Sequence, residues 1–318
     1  MATDQPPGGE SEQALPGDIS AAIQAIRDDR EHGASWLARA AARTLLEAGE
    51  RYRDASPAEW DWLMRATARA LVSARPSMAA VANAAARVWN AGQSAMSPSS
   101  RDALLAEATR LSTQSEQAQH ALLSYAKTRL RGTVYTLSRS GTLESVLREL
   151  GRADIIERVL VAESRPGAEG VALGQALAQS GLPVLLLTDA ACGVFIGEAT
   201  CVALGADSLR ADGALVNKVG SYPLATVAKM ASKSVYVVCE TLKIAAPDFP
   251  LELEEMNPAE VLPDAGRSER LSARNPYFDV TPASLIAAYI TEEGILDRDA
   301  MTRRAEDAGA ALARLHGQ

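Results

Sequence analysis

Aromatic residues, cysteines and histidines are all scarce in this chain. Aromatic residues account for only 4% of its 318 residues while hydrophobic residues reach 47%, so a sizeable core has to be built mainly from Ala, Leu and Val. The three cysteines, Cys192, Cys201 and Cys239, fit neither a disulfide framework nor the ligand spacing of a zinc site. The three histidines lie far apart in the sequence, which argues against a histidine-based metal site.

Long apolar runs and an excess of basic residues are also missing. No apolar stretch approaches the roughly 20 residues that a membrane helix needs, and the N-terminus has no apolar core of a secretory signal. Together with the odd number of cysteines, this predicts a cytoplasmic protein. Lys and Arg total 32 against 40 Asp and Glu, a formal net charge of −8, so we expect no membrane partner and no direct contact with nucleic acid.

Sequence motifs for nucleotide cofactors are absent near the first predicted strand. Neither G-x-G-x-x-G nor a Walker A sequence occurs there, so dinucleotide binding and NTP hydrolysis lack support. No histidine lies near the predicted sheet edge, which excludes a Ser-His-Asp triad. We therefore expect neither a cofactor nor a metal.

The chain divides into three parts by composition. Residues 1–17 are rich in Pro, Gly and acidic residues and are predicted to be a disordered leader. Apolar residues then recur at helical spacing, which predicts an N-terminal helical domain over 18–127. From residue 128 to residue 318 the pattern changes to strands alternating with helices, which predicts a second domain.

Two helix starts and one long helix stand out in the first domain. Asp18 is predicted to cap the first helix, and Ser56 followed by Glu59 is typical of a capping box. Residues 99–130 are predicted to form one long amphipathic helix that links the two domains.

Five short apolar runs predict the strands of the second domain: "TVYTLS", "RVLVAES", "PVLLLTD", "CVALGAD" and "SVYVVCE". Their nearly continuous apolar character indicates strands covered on both faces. The predicted fold class is α/β, with N-terminal helices followed by a doubly wound parallel sheet.

Each of these runs ends in polar residues: Ser138, Glu163 to Arg165, Asp189, Asp207 and Glu240. In open α/β sheets, ligands bind outside the carboxyl ends of the strands, so these side chains predict a ligand site at one edge. The alternative is that they only end strands and cap the helices that follow.

Four residues near this edge suit a phosphorylated ligand. Arg165, beside a helix start in "ESRPGAEG", is predicted to clamp phosphate, although a surface turn is the alternative. Lys218 supplies a point charge, and Asn217 can donate and accept hydrogen bonds to sugar hydroxyls. Asp207 is predicted to be a general acid or base with a pKa raised by burial. The alternative for Asp207 is a structural ion pair with Lys218.

Five segments carry a resemblance to a known family: "RPSMAAVANA", "ESRPGAEG", "LLLTDAACGVFIGEA", "LGADSLRADGALVNKVGSYPLATVAK" and "NPYFDVTPASLIAAYITEEG". Over roughly residues 18–301 the chain resembles the initiation factor 2B-related proteins. These include the alpha, beta and delta subunits of translation initiation factor 2B, methylthioribose-1-phosphate isomerase and ribose-1,5-bisphosphate isomerase. The resemblance implies a Rossmann-like C-terminal domain and a homodimer formed mainly by it.

The resemblance also implies roles for particular residues. Arg75, in the family's "RP(S/T)" motif, is expected to bind the sugar phosphate together with Gly33 in an "RGA"-like segment. Asn217 and Lys218 are expected to line the same pocket. Asp207, in the "GAD" motif, is expected to be the acid–base carboxylate.

Two positions depart from the isomerases of this family. Ser138 stands where they carry a catalytic Cys, and His32 stands where their "RGA" segment has Arg. A hydroxyl has a far higher pKa than a thiol and is a poorer proton shuttle. Cys192 is a second candidate thiol, because it follows Asp189 at a predicted helix start; its alternative is a packing residue.

The sequence therefore predicts a protein that binds a sugar phosphate or a nucleoside monophosphate and has at most weak isomerase activity. A full aldose–ketose isomerase is one alternative. A non-enzymatic regulatory protein that senses a metabolite and presents a surface to partners is the other.

Overall fold

A computed structural model describes residues 14–29, 32–76, 78–93, 99–113, 115–253, 255–263, 268 and 270–317. Most of the predicted leader, residues 1–13, lies outside the described residues. None of the helices in the described parts of the chain is both long and apolar enough to cross a membrane.

The described residues form eleven α-helices and ten β-strands. The helices are α1 Gly17–Asp28, α2 Ala34–Arg51, α3 Pro57–Val72, α4 Ala79–Gln93, α5 Ser99–Thr113, α6 Ser115–Ala126, α7 Gly141–Arg152, α8 Glu169–Gln179, α9 Cys192–Phe195, α10 Ser221–Met230 and α11 Arg298–His316. The strands are β1 Gly132–Leu137, β2 Ile156–Ala162, β3 Val184–Leu187, β4 Cys201–Leu204, β5 Ser208–Leu209, β6 Leu215–Lys218, β7 Ser234–Val238, β8 Phe278–Thr281, β9 Ala288–Thr291 and β10 Gly294–Leu296.

The helix starts follow the sequence prediction in one case and depart from it in the other. Ser56 and Glu59 form the predicted capping box at the start of α3. Asp18 does not cap α1, because the helix begins one residue earlier, at Gly17. The Asp18 carboxylate instead accepts a hydrogen bond from Arg51 Nη1 at 2.6 Å. The predicted helix over 99–130 is described as α5 and α6, with residue 114 between them outside the described residues.

The C-terminal helix α11 packs against the N-terminal helices. Leu312 and Leu315 of α11 belong to the same buried cluster as the apolar faces of α1 to α5. Arg69 Nε on α3 donates to the Leu315 carbonyl at 3.1 Å, and Asn90 Nδ2 on α4 donates to the Ala311 carbonyl at 2.8 Å. Met301 and Ala305 of the same helix belong to the buried cluster on one face of the main sheet. Helix α11 therefore contacts both the N-terminal helices and the sheet, and the division at residue 127 stays a prediction.

The main sheet is almost entirely parallel and confirms the predicted fold class. Its strand order is β10-β9-β7-β4-β1-β2-β3, and only β10 runs antiparallel to its neighbour. The five predicted runs become β1, β2, β3, β4 and β7. Neighbouring residues such as Val134 and Tyr135 belong to buried clusters on opposite faces, as expected for a sheet covered on both sides.

The order of the strands determines where a ligand can bind. From β1 the chain proceeds outward to β2 and β3, then returns to place β4 on the other side of β1. This reversal leaves a crevice at the carboxyl ends of β1 and β4, the usual ligand site of open α/β sheets. A small antiparallel sheet, β5-β6-β8, follows β4 directly and forms one side of that crevice.

Candidate active site

Two adjoining cavities occupy the crevice between β1 and β4. The α7 lobe, of about 300 Å³, is lined by the start of α7 (Ser140 to Thr142) and by Lys243. The Lys218 lobe, of about 160 Å³, is lined by Arg75, Glu169, Lys218 and Tyr277 among others. Both lobes are also lined by a shared set of residues: Gly33, Ser138, Arg139 and Asp207. These shared residues form the junction of one two-lobed cleft.

The structure brings six of the seven predicted site residues to this cleft: Gly33, Arg75, Ser138, Asp207, Asn217 and Lys218. Arg165 is not among the lining residues of either lobe. Its guanidinium donates to the carbonyl oxygens of Pro166 at 3.0 Å and Glu260 at 3.4 Å. The phosphate clamp predicted from its position beside a helix start is therefore not what its side chain forms in this structure.

Ser138 is held at the junction by the ends of two neighbouring strands. It directly follows β1 with a left-handed backbone, φ 59°, and its N–H donates to Ser164 Oγ at 2.6 Å. Ser164 is buried and donates its own hydroxyl to the Ala162 carbonyl at 3.1 Å. Because three strand-end groups share these bonds, the position of Ser138 is set by the sheet and not by a loose loop.

Asp189 supports the same turn from the end of β3. Its two carboxylate oxygens accept hydrogen bonds from the N–H groups of Ser164 and Arg165, both at 2.7 Å. Asp189 lines neither lobe of the cleft. Asp189 therefore stabilises the neighbouring strand end and does not cap the helix that follows it.

Asp207 reaches the junction from β4, on the other side of the strand reversal. It is half-buried, and its N–H donates to the Val216 carbonyl on β6 at 3.0 Å. The preceding Gly205 lies against the start of α7, where an added Cβ would come within 2.6 Å of Ser140 Cβ. A glycine is needed here because any side chain would push β4 away from α7.

The α7 lobe combines a helix start with basic side chains. Ser140 caps α7, its hydroxyl accepting from Leu143 N–H at 3.3 Å; the other N–H groups of the first turn have no partner within the helix and carry the positive end of its dipole. Lys243 is 4% exposed and donates to the Ala206 carbonyl at 2.5 Å. Arg39 lies 3.9 Å from Glu240, the strand-end acid of β7. This combination suits an anionic group.

The Lys218 lobe contains a compact ion pair. Lys218 Nζ donates to Glu169 Oε1 at 2.7 Å, and the Tyr277 hydroxyl donates to the same oxygen at 2.6 Å. The ammonium also lies 3.3 Å from the centre of the Tyr277 ring. Burial raises the pKa of Glu169, but the two hydrogen bonds outweigh it and hold the pKa below its usual value. Burial and the adjacent carboxylate raise the pKa of Tyr277.

Asp279 stabilises the segment that follows Asn217 and Lys218 by accepting hydrogen bonds from its backbone. It lies opposite Asn217 in the β6–β8 pairing, and its carboxylate accepts from the N–H groups of Gly220 at 2.8 Å and Tyr222 at 3.1 Å. These groups form the start of α10, where a negative charge is favourable. Burial nevertheless raises the pKa of Asp279 from its usual 3.8 to about 6.

This raised pKa predicts a specific dependence of stability on pH. A carboxyl with a raised folded-state pKa stabilises the fold below its ordinary pKa, and that contribution is lost as the pH rises through about 6. The melting temperature of the parent should therefore fall relative to that of Asp279→Asn between about pH 4 and pH 7. Thermal melts of the parent and of Asp279→Asn across this pH range test the prediction. Asp248→Asn, which changes an exposed carboxylate, is the control. A pH-independent difference between parent and Asp279→Asn would contradict it.

The cysteines divide into two buried thiols and one half-buried one. Burial raises the pKa of Cys201 to about 11 and that of Cys239 to about 12, so neither supplies a thiolate near neutral pH. Cys192 begins the four-residue helix α9 and packs beside the buried cluster on one sheet face. It lines neither lobe of the cleft, so the structure does not bring it to Ser138 and Asp207.

Several residues that line the cleft were not predicted from the sequence. For some of them the sequence does contain a signal, because they lie close to residues that were singled out. Lys243 comes three residues after the strand-end Glu240, and Glu169 lies within the singled-out segment "ESRPGAEG". Arg39 has no such signal in the sequence, because it lies within a regular helix whose apolar spacing is like that of the neighbouring helices. Tyr277 is brought to Lys218 by a pairing of β6 with β8 that spans about sixty residues of sequence.

Comparisons with known proteins show the family to which the chain is similar. The model of the Initiation factor 2 subunit family matches residues 30–298. The ribose 1,5-bisphosphate isomerase of Archaeoglobus fulgidus is 33% identical over 285 residues, covering 88% of this chain and 90% of that relative. The methylthioribose-1-phosphate isomerase of Anaeromyxobacter sp. is 34% identical over 295 residues, covering 87% and 84%. The crystal structure of the Pyrococcus horikoshii translation initiation factor eIF-2B superposes with a TM-score of 0.72 and has 27% sequence identity to this chain. The superposition covers 89% of this chain and 98% of that one.

Proposed function

This chain belongs to the initiation factor 2 subunit family, and from that premise we propose that it binds a sugar phosphate in the two-lobed cleft and slowly converts it between aldose and ketose. The observation that carries this proposal is the junction of the cleft. Asp207 from the end of β4 and Ser138 from the end of β1 line both lobes. A ligand that extends from one lobe into the other therefore passes between a carboxylate and a hydroxyl.

The conversion requires two proton movements. In the direction from aldose to ketose, a proton leaves C2 and arrives at C1, while the proton of the C2 hydroxyl passes to the C1 oxygen. Asp207 takes the first proton from C2 and returns it to C1. The Ser138 hydroxyl assists the second transfer between the two oxygens. Because its own pKa is far from neutral, this assistance is weak and the conversion is slow.

The phosphate is placed in the α7 lobe. The start of a helix of 12 residues supplies backbone N–H groups and a positive dipole end, and Lys243 adds a buried ammonium. In this arrangement the sugar is held by Asn217 of the α7 lobe, by Gly33 at the junction, and by Arg75 and Lys218 of the Lys218 lobe. The homodimer and the cytoplasmic location predicted from the sequence are part of the same proposal.

A second candidate function is that of a regulatory protein that senses the same ligand without converting it. The observation that favours it is Ser138, whose backbone N–H donates to Ser164 Oγ at 2.6 Å and whose side chain is a hydroxyl, a poor proton shuttle near neutral pH. A nucleoside monophosphate, whose phosphate can occupy the α7 lobe in the same way, is the alternative ligand for this role.

Lys243→Met is expected to remove most of the stabilisation by a sugar phosphate. A ligand at 100 times its dissociation constant raises the free energy of unfolding by about 2.7 kcal/mol, and loss of the ammonium weakens phosphate binding. The measurement is the rise in melting temperature of each protein with ribose 5-phosphate, and separately with AMP. It is a difference within one protein, so any intrinsic loss of stability cancels.

Lys229→Met, which removes an exposed lysine from α10, is the matched control and should keep the full shift. An unchanged shift in Lys243→Met would place the phosphate outside the α7 lobe. A shift with AMP alone would favour the regulatory function.

A further inference from the structure

We propose that Arg139 is a catalytic residue of the cleft, whose guanidinium binds the two oxygens of the enediolate that forms between aldose and ketose. This inference rests on the proposed function and adds a residue to its mechanism. Asp207 and Ser138 move protons in that mechanism, whereas Arg139 stabilises the negative charge that the proton movements create.

The first observation is the position of Arg139 in the cleft. Of the residues that the structure describes, it is the one basic residue that lines both lobes. It directly follows Ser138 in the chain, and Asp207 lines the same junction. A sugar phosphate that passes between Ser138 and Asp207 therefore brings its reacting carbons next to Arg139, whichever lobe holds the phosphate.

The second observation is the way in which the guanidinium is held. Arg139 Nε donates to Glu144 Oε2 at 3.1 Å, and Glu144 is a buried residue in the first turn of α7. No other hydrogen bond of the Arg139 side chain is found among the described residues. Nε is therefore held by a fixed carboxylate, and the N–H groups of both Nη atoms remain for a ligand.

The pairing with Glu144 does not cancel the positive charge at this place. Arg148 Nη1 lies 3.7 Å from the other oxygen of the same carboxylate, so one negative charge is shared by two guanidinium groups. The three side chains together carry a net positive charge, and the Arg139 side chain, which is 52% exposed, is the member that reaches the junction. An oxyanion formed at the junction is attracted to it.

The reaction places negative charge on two neighbouring oxygens in turn. When Asp207 takes the proton from C2, the electron pair of the broken bond forms a C1–C2 double bond and the C1 oxygen becomes negative. The proton of the C2 hydroxyl then passes to the C1 oxygen, which moves the charge to the C2 oxygen. The charge disappears when Asp207 returns its proton to C1 and the C2 carbonyl forms.

A guanidinium matches this sequence of charges. In a cis enediolate the two oxygens lie side by side, and the forked N–H groups of arginine donate to such a pair in parallel. Arginine stays protonated at neutral pH, so Arg139 cannot replace the weak proton shuttle at Ser138. It instead lowers the energy of the intermediate, and a donor placed at a developing oxyanion usually contributes about 10²- to 10³-fold to kcat.

The test uses the hydroxamate of 4-phospho-D-erythronic acid, whose two adjacent oxygens reproduce those of the enediolate. Its affinity and that of ribose 5-phosphate are measured by isothermal titration calorimetry in the parent, in Arg139→Gln and in Arg139→Lys. Arg148→Gln is the matched control, because it removes a cation beside the same Glu144 carboxylate and Arg148 lines neither lobe.

The parent should bind the hydroxamate about tenfold or more tightly than ribose 5-phosphate, as expected for an analogue of the intermediate. Arg139→Gln should weaken hydroxamate binding by about tenfold or more and change ribose 5-phosphate binding by less than about threefold. Its kcat should fall by about 10²-fold with little change in KM. Arg139→Lys, which keeps the charge and loses the fork, should recover part of both effects, and Arg148→Gln should behave like the parent.

Equal losses of affinity for the two ligands in Arg139→Gln would overturn the inference, because the guanidinium would then hold the phosphate or the sugar itself. An unchanged preference for the hydroxamate in this variant would overturn it as well. A parent that binds ribose 5-phosphate without preferring the hydroxamate would overturn it and leave sugar-phosphate binding intact. If the parent binds neither ligand, the proposed function itself is wrong and this inference falls with it.

Discussion

Asp207→Asn is expected to lower the rate of aldose–ketose conversion by about 10²- to 10⁴-fold, the usual contribution of a general acid or base. An amide cannot take a proton from C2 at neutral pH. Against the expectation from the sequence, one histidine lines the described cleft, but the imidazole of this residue, His32, is held 2.8 Å from the Asp29 carboxylate. Phosphate contacts in the α7 lobe are untouched by the change. Binding of ribose 5-phosphate should therefore persist while turnover is lost.

Two measurements on the same protein separate these effects. Ligand binding is followed by the rise in melting temperature, and conversion is followed by the appearance of the ketose phosphate. Asp212→Asn, an exposed change in the turn between β5 and β6, is the matched control and should keep the parental rate. Loss of binding together with turnover in Asp207→Asn would show that the carboxylate holds the sugar and would leave its role as a base unsupported.

The sheet could be predicted from the sequence because its strands carry local signals. The five runs that became β1, β2, β3, β4 and β7 are apolar over most of their length and are bounded by polar residues. Parallel strands place all of their carboxyl ends at one edge, so a polar residue after each run already locates the site. Ser138 and Asp207 were found in this way.

The strands that escaped prediction are short or depend on distant partners. β5 has two residues, and β6 and β8 have four each. Four residues are too few to show alternation, and the pairing of β6 with β8 depends on contacts across about sixty residues of sequence. The antiparallel sheet that carries Asn217 and Lys218 therefore had no local signature.

The electrostatics of the cleft needed the structure for a related reason. Lys218 and Glu169 are 49 residues apart in sequence yet 2.7 Å apart in space. From the sequence, Lys218 was expected to face a phosphate or Asp207, and Arg165 was expected to clamp the phosphate. Neither the partner of a buried lysine nor the direction of an arginine side chain follows from residue type and spacing, because both depend on how separate elements pack.

Ser138→Cys is expected to raise the rate of conversion by about tenfold or more, because a thiol with a pKa near 8.5 exchanges protons near neutral pH and a serine hydroxyl does not. The substitution changes one atom and keeps the left-handed backbone at φ 59° and its N–H bond to Ser164. The new thiol lies at the junction of the lobes, facing the same space as Asp207. Ser138→Ala should lower whatever rate the parent has.

The outcomes of this substitution decide between the two candidate functions. A gain in Ser138→Cys that disappears when Asp207→Asn is added would show that the two groups act on one substrate as an acid–base pair. Parental turnover that survives Ser138→Ala but not Cys192→Ser would assign the chemistry to Cys192. Absence of turnover in Ser138→Cys, with ribose 5-phosphate still raising the melting temperature, would favour the regulatory protein. In that case the cleft binds its ligand without converting it, because a thiol at position 138 supplies a proton shuttle and the reaction still does not occur.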